Sequence, residues 1–397
     1  MTALRKGVHP AGEDHRATPF ELFFDLVYVF AITQVTGHMA RERSVNGVLQ
    51  GILTLAMLWG TWSGYTWLGN HSRADQGALR AGMIVAMAAM FVVALAIPEA
   101  WSAASGAPLL LVCAYLLVRL VHLTVFAKAA SDDTGLRHQI AVSWLPMLAG
   151  AALLVPGALL GGRTQLLLFA IALLVDWAGI YLTARRGAWR LHSPAHLAER
   201  HGLFMILAIG ESLIAIGAGA AGQAVSGPLL VAAVLGMATA VCLWWLYFGV
   251  AAREAERRLS HAHGRRRVTL AVEAYTYGHF PIIAGILLTA LGIEGVVAHL
   301  GDGGPLGVFS ALALHGGAAL YLLGQALFGL RMHGAVNRLR LLAAGAVLAV
   351  TPLAVVLPPL AGLSAVVIVL VALIAAESRQ EWARTQQFWG SFSPTAE

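Results

Sequence analysis

Glu21 and Asp25 stand four residues apart in ELFFDLVYVF, an otherwise apolar stretch. On a helix turning about 100° per residue they share one face, and Tyr28 joins them. Further along the chain, Asp176 lies in LLVDWAGIY and Glu211 in ERHGLFMILAIGESLIAIG. Glu273 precedes Tyr277 by four residues, with His279 just beyond. One base sits as deep: Arg119, flanked on its own face by Tyr115 and His122. Asp25 and Asp176 compete for it, so of the four acids Asp25, Asp176, Glu211 and Glu273 at most one is fully paired. In a medium of low dielectric the others must be protonated, face water or await a cation. That is proton or cation chemistry, and it makes Asp25, Tyr28, Arg119, His122, Asp176, Glu211, Glu273, Tyr277 and His279 candidate pathway residues. Glu21 follows Thr18 and Pro19 in a first helical turn and is expected to anchor its helix, as Arg200 anchors a later one.

Composition decides what holds these residues. The 397 residues are 58% hydrophobic and only 12% charged, with a mean hydropathy of +0.74. Soluble chains keep about a quarter of their residues charged. Half that share, with runs long enough to cross a hydrocarbon core of about 30 Å, predicts an all-α polytopic integral membrane protein. Twelve apolar segments are expected, at approximately 20–39, 47–69, 81–101, 109–127, 139–160, 165–183, 199–220, 228–250, 268–292, 307–330, 339–357 and 360–376. Tails at 1–19 and 377–397 complete the chain.

Basic residues orient this array. Placing both tails on one side puts 22 of the 26 Lys and Arg residues there, with Arg41, Arg43 and Arg163 opposite and Arg119 inside a span. Basic loops stay inside, so both termini are predicted to be cytoplasmic. Arginine far outnumbers lysine and Ala and Gly abound, which suggests a GC-rich bacterial genome and hence the bacterial cytoplasmic membrane. The net charge of +6 follows from this topology. REAERRLSHAHGRRR reads as a solvated cytoplasmic loop, and no nucleic-acid partner is expected. No cleavable signal segment is expected either. Cys113 and Cys242 lie within apolar runs, which argues against a disulfide framework or a thiolate metal site. Pro194 interrupts the spacing of His192 and His196, so these histidines and His201 are not expected to bind a metal. No cofactor motif is present, and the Trp and Tyr residues read mostly as interfacial belt and core.

The two six-span stretches, 20–190 and 191–376, resemble each other. ALAIPEA from Ala94 matches ALGIEGV from Ala290, and YLLVRLVHLTVF from Tyr115 matches YLLGQALFGLRM from Tyr321. LWGTWSGYTW in the second span matches LWWLYFG in the eighth. An even number of spans per unit implies two parallel repeats about an axis along the membrane normal. A polar cavity is expected between them near the midplane, lined by Asp25, Arg119 and Glu211.

FELFFDLVYVFAI, ERHGLFMILAIGESLIAIG and YTYGHFPIIAGILLTALGIEGVVAH resemble distinctive segments of the bacterial low temperature requirement protein A family. The pattern falls here on Glu21, Asp25, Glu199, Arg200, Gly202, Gly210, Glu211, Ser212, His279 and Glu294, with Arg16 ahead of it. The resemblance implies a polytopic membrane protein linked by name to growth in the cold, without catalytic residues to carry over. The residues themselves favour a secondary transporter or channel handling protons, cations or a small solute. A membrane enzyme acting on lipid or isoprenoid substrates is the alternative, and a scaffold or sensor the third. Beyond the lipid bilayer and such a solute, no partner or cofactor is implied.

Overall fold

Polar side chains cap the starts of six helices. Thr18 ends an extended approach to α1 (Pro19–Glu42); its hydroxyl accepts the Glu21 N–H and the Glu21 carboxylate accepts the Thr18 N–H, with Pro19 at the first helical position. Ser44, Asp133, Ser193 and Ser226 cap α2 (Val45–His71), α5 (Thr134–Leu160), α7 (Pro194–Gly219) and α8 (Gly227–Phe248) through side-chain oxygens. Asn337 does the same for α13 (Arg338–Val356). The other helices are α3 (Gly77–Ala96), α4 (Ala107–Ala129), α6 (Gly162–Arg186), α9 (Ala251–His261), α10 (Gly264–Leu270), α11 (His279–Ala298), α12 (Val308–His333) and α14 (Pro359–Gly390).

The computed structural model describes residues 15–73, 77–102, 104–130, 133–186, 189–249, 251–301 and 304–390. The predicted tail residues 1–14 and 391–397 lie outside this set. Among the described residues, eleven helical stretches are long and apolar enough to cross a membrane, with α10, the segment after it and α11 forming one of them. The twelfth predicted span is α2. It is long enough, at 27 residues, but carries Thr54, Thr61, Ser63, Thr66 and Asn70. It carries them because it is an interior helix, packed by α1, α4, α6, α7 and α11 and buried along nearly all of residues 54–70. Leu145, Leu174, Val234 and Leu342, on α5, α6, α8 and α13, point outward instead, as a lipid-facing surface requires.

α7 begins at Pro194, five residues before the predicted span, so Arg200 lies well inside it. The basic stretch predicted as loop is partly helical: α9 buries Ala255 and Leu259 and leaves its charged residues outward. Between α10 and α11 the chain widens into a π-helical segment, Ala271–Tyr277, where the Gly278 N–H reaches the Glu273 carbonyl at 3.1 Å. Pro281, third in α11, supplies the cause, since its ring and missing N–H disfavour an α-turn onto Tyr277.

The tightest packing joins α11 to α12. A Cβ added to Gly292 would sit 2.4 Å from the Leu314 backbone. Only a glycine there lets two helix backbones approach so closely.

Candidate functional site

α2 separates two polar features. On one side lies a buried charge network between α1 and α7. The Glu21 Oε2 accepts from the Thr18 N–H at 2.9 Å and from its hydroxyl at 3.0 Å, which turns Oε1 toward His196 Nε2, 2.9 Å away. One turn deeper, Asp25 Oδ1 accepts from Trp62 Nε1 and from Arg200 Nη2, both at 2.8 Å. Asp25 and Arg200 are almost wholly buried, and the guanidinium also sits 5.7 Å from the Trp62 ring. Asp25 Oδ2 and Arg200 Nε and Nη1 have no hydrogen-bond partner.

This overturns the expected charge imbalance. Arg200 is a deep base, and it takes Asp25. Arg119 binds Asp176 through two parallel hydrogen bonds of 2.7 and 2.6 Å. Glu273 accepts from the Tyr181 hydroxyl at 2.9 Å and pairs with Arg331, which α12 carries one residue beyond the predicted span. Three of the four deep acids therefore have guanidinium partners. Glu211 alone has none; the Thr33 hydroxyl donates to it at 2.8 Å, and among the described residues no basic side chain pairs with it.

On the other side of α2 is a cavity of about 90 Å³. Trp59, Ser63 and Trp67, at helical spacings of four, face it from α2; Arg119, His122 and Phe126 face it from α4, Trp177 from α6, and Thr276 and Tyr277 from the π-helical segment. The aromatic edges are spent on the wall. Trp59 Nε1 donates to the Thr276 carbonyl at 2.6 Å, Trp67 Nε1 to the Thr276 hydroxyl at 3.1 Å, and the Tyr277 hydroxyl to the Trp177 carbonyl at 2.7 Å. Ser63 Oγ, His122 Nε2, Arg119 Nε and Trp189 Nε1 are buried at this wall without partners.

Of the predicted pathway residues, the cavity gathers Arg119, His122 and Tyr277, with Asp176 behind Arg119. Asp25 and Glu211, expected to line it, do not. Tyr28 donates to Thr61 Oγ1 at 3.2 Å inside the α1–α2 contact, and His279 meets the Tyr247 hydroxyl at 2.8 Å while stacking on Tyr275. Sequence reading missed Trp59, Ser63, Trp67 and Trp177 by treating tryptophans as belt and core. The spacing of Trp59, Ser63 and Trp67 was the available signal.

The profile of the bacterial low temperature requirement A protein family matches residues 16–375. The chain belongs to that family. An uncharacterized protein of Rhizobium meliloti (strain 1021) is 29% identical over 319 residues, covering 77% of this chain and 75% of that protein. No solved structure matches. In this low temperature requirement A protein, ELFFDL and ERHGLFMILAIGES supply Glu21, Asp25, Arg200 and Glu211, the charged residues that meet along α1 and α7. The aromatic cavity draws on neither segment.

Proposed function

We propose that this membrane protein is a carrier for a small neutral solute, bound in the cavity between α2, α4, α6 and the π-helical segment. The observation that carries the reading is the pairing of aromatic side chains with unpartnered polar atoms at Ser63 and His122. Buried polar groups are ordinarily paired, and here they sit beside a space that a ligand or water fits. Size and charge narrow the class. A volume of about 90 Å³ suits about three waters, or a solute of a few heavy atoms. The Arg119 charge is neutralised by Asp176 and, among the described residues, no carboxylate lines the space, which disfavours an ion.

The basic-residue asymmetry supports cytoplasmic termini in a bacterial inner membrane, which puts the cavity in the cytoplasmic half of the bilayer. The six-span duplication also retains support. α1, α3, α4, α5 and α6 contact one another in the order that α7, α11, α12, α13 and α14 repeat.

Stopped-flow light scattering of proteoliposomes facing gradients of urea, acetamide or glycerol tests the proposal. At least one solute is expected to cross faster than through empty liposomes, and Ser63→Leu, which fills the space, is expected to abolish the gain without lowering Tm. Equal rates for protein and empty liposomes with every solute would refute it.

Proton or cation coupling is a second reading, favoured by Glu211 because among the described residues no base pairs with it. Coupling predicts uptake that depends on a pH or sodium gradient and loses that dependence in Glu211→Gln. Gradient-independent uptake by the unaltered protein would exclude it.

A further inference from the structure

A second cluster lies where the chain enters α1, on the charge-network side of α2 and apart from the cavity. We propose that His15, Glu21 and His196 bind a divalent transition-metal ion of the zinc class. One ligand atom from each side chain lies within 4.8 Å of the other two. The His15 and His196 rings stack at 4.7 Å between centroids and 23° between planes. Two imidazoles on one tetrahedral ion, with metal–nitrogen bonds of about 2.0–2.1 Å, have ring centroids about 5 Å and ligand nitrogens about 3.3 Å apart, so His15 must turn out of the stack to bring its nitrogen onto the ion.

Surrounding contacts hold the ligands in place, as the outer partners of metal sites do. Thr18 occupies Glu21 Oε2 and leaves Oε1 aimed at the cluster. Gly69 makes room for it: a Cβ there would lie 2.4 Å from Oε1. The Ser193 hydroxyl accepts the His196 N–H at 3.1 Å and donates to the His15 carbonyl at 2.9 Å, tying the two histidine-bearing segments together. Asn70 Oδ1 accepts the N–H groups of His192 and Ser193 at 2.9 and 3.3 Å, which fixes the start of α7. The Glu199 carboxylate accepts the Ala17 N–H at 2.9 Å and adds negative charge beside the site.

Two imidazoles and one carboxylate suit zinc, cobalt(II) or nickel(II) better than magnesium or calcium, which take all-oxygen sets. Glu21 and His196 are buried and His15 is half-buried. Metal on His196 Nε2 leaves the ring proton on Nδ1, 3.4 Å from Asn70 Nδ2, an opposition that tempers affinity. A bound ion would join the segment before α1, α1 itself and α7 at one point.

The test uses the full chain in detergent, purified with a histidine-free tag and stripped with chelator. Zinc titration is read by competition with a chromophoric chelator, and cobalt(II) by its visible absorption. One equivalent is expected to bind. His15→Ala, which leaves the Glu21–His196 pair in place, is expected to weaken binding at least tenfold while the metal-free Tm stays unchanged. His196→Gln is expected to abolish binding; should it fail to fold, His15→Ala still decides. No binding by the stripped wild type, or equal affinity in His15→Ala, would overturn the proposal.

Discussion

The α11–α12 seam and the space between α2, α4 and α6 are both buried between helices, yet they are built from opposite materials. At the seam, glycines bring backbones together until no side chain fits between them, as Gly292 does against Leu314. Around α2, tryptophans hold the helices apart. Trp59 and Trp67 reach Thr276 across the gap, and Tyr277 reaches the Trp177 carbonyl, so each ring spans a distance that smaller residues would let collapse. Bilayer helices gain nothing from the hydrophobic effect by touching one another, so close packing is the ordinary route to stability. A region propped open by aromatic struts gives up that packing. The seam and the cavity thus differ in how their helices are held, whatever the cavity binds.

The strongest way to break it is at the brace beside the cavity. Arg119→Ala strands the Asp176 carboxylate in a dry setting and is expected to cost about 3–5 kcal/mol, as is Asp176→Ala. The double change to Leu at both positions is expected to recover most of that loss, read as Tm in detergent. Singles and double equally destabilised would mean that the pair is not isolated as described. Another buried ion pair joins Arg340, near the start of α13, to Glu377 on α14, with Gln325 against the guanidinium; the Glu377 side chain is 19% exposed. Arg340→Ala is expected to cost less.

Glycine substitutions sharpen the contrast next. Gly292→Ala drives a methyl group into the Leu314 backbone and is expected to destabilise by about 1–3 kcal/mol. Gly64→Ala meets only the His122 ring, at 3.1 Å, and that ring borders open space into which it can turn. A change below about 1 kcal/mol is expected, with altered solute uptake instead. Equal losses of Tm for the two variants would erase the distinction between seam and cavity.

Much of the fold was legible because bilayer physics writes it in composition: twelve apolar runs correspond to the membrane-length helices found, α2 included. The site was less legible, for reasons that attach to particular residues. Arg200 reads as a helix-end residue because the apolar run begins at 199. Ser193 and Pro194, a cap followed by a proline at the first helical position, already marked the true beginning. Arg331 fell just past a run whose helix continues to His333. Which guanidinium meets which carboxylate depends on helix–helix rotation, which a single sequence leaves open. His15 and His196 lie 181 positions apart, and only the fold of the segment before α1 onto α7 stacks them.

A comparably small effect is expected at a single strut. Trp67→Phe keeps a ring but loses the hydrogen bond to Thr276, and about 1 kcal/mol is expected. Because the strut borders the cavity, solute selectivity should shift more than Tm does. A change in Tm with unaltered selectivity would assign Trp67 to the scaffold.

Reactivity of a cysteine placed at Ser63 tests the central claim most directly. With Cys113 and Cys242 replaced by serine, Ser63→Cys is compared with Ala318→Cys, which sits fully buried on α12. The account predicts that a small neutral thiol reagent labels position 63 but not 318, and that a permeant solute slows the labelling at 63. Labelling at 63 as slow as at 318, or indifferent to every solute that crosses, would contradict it.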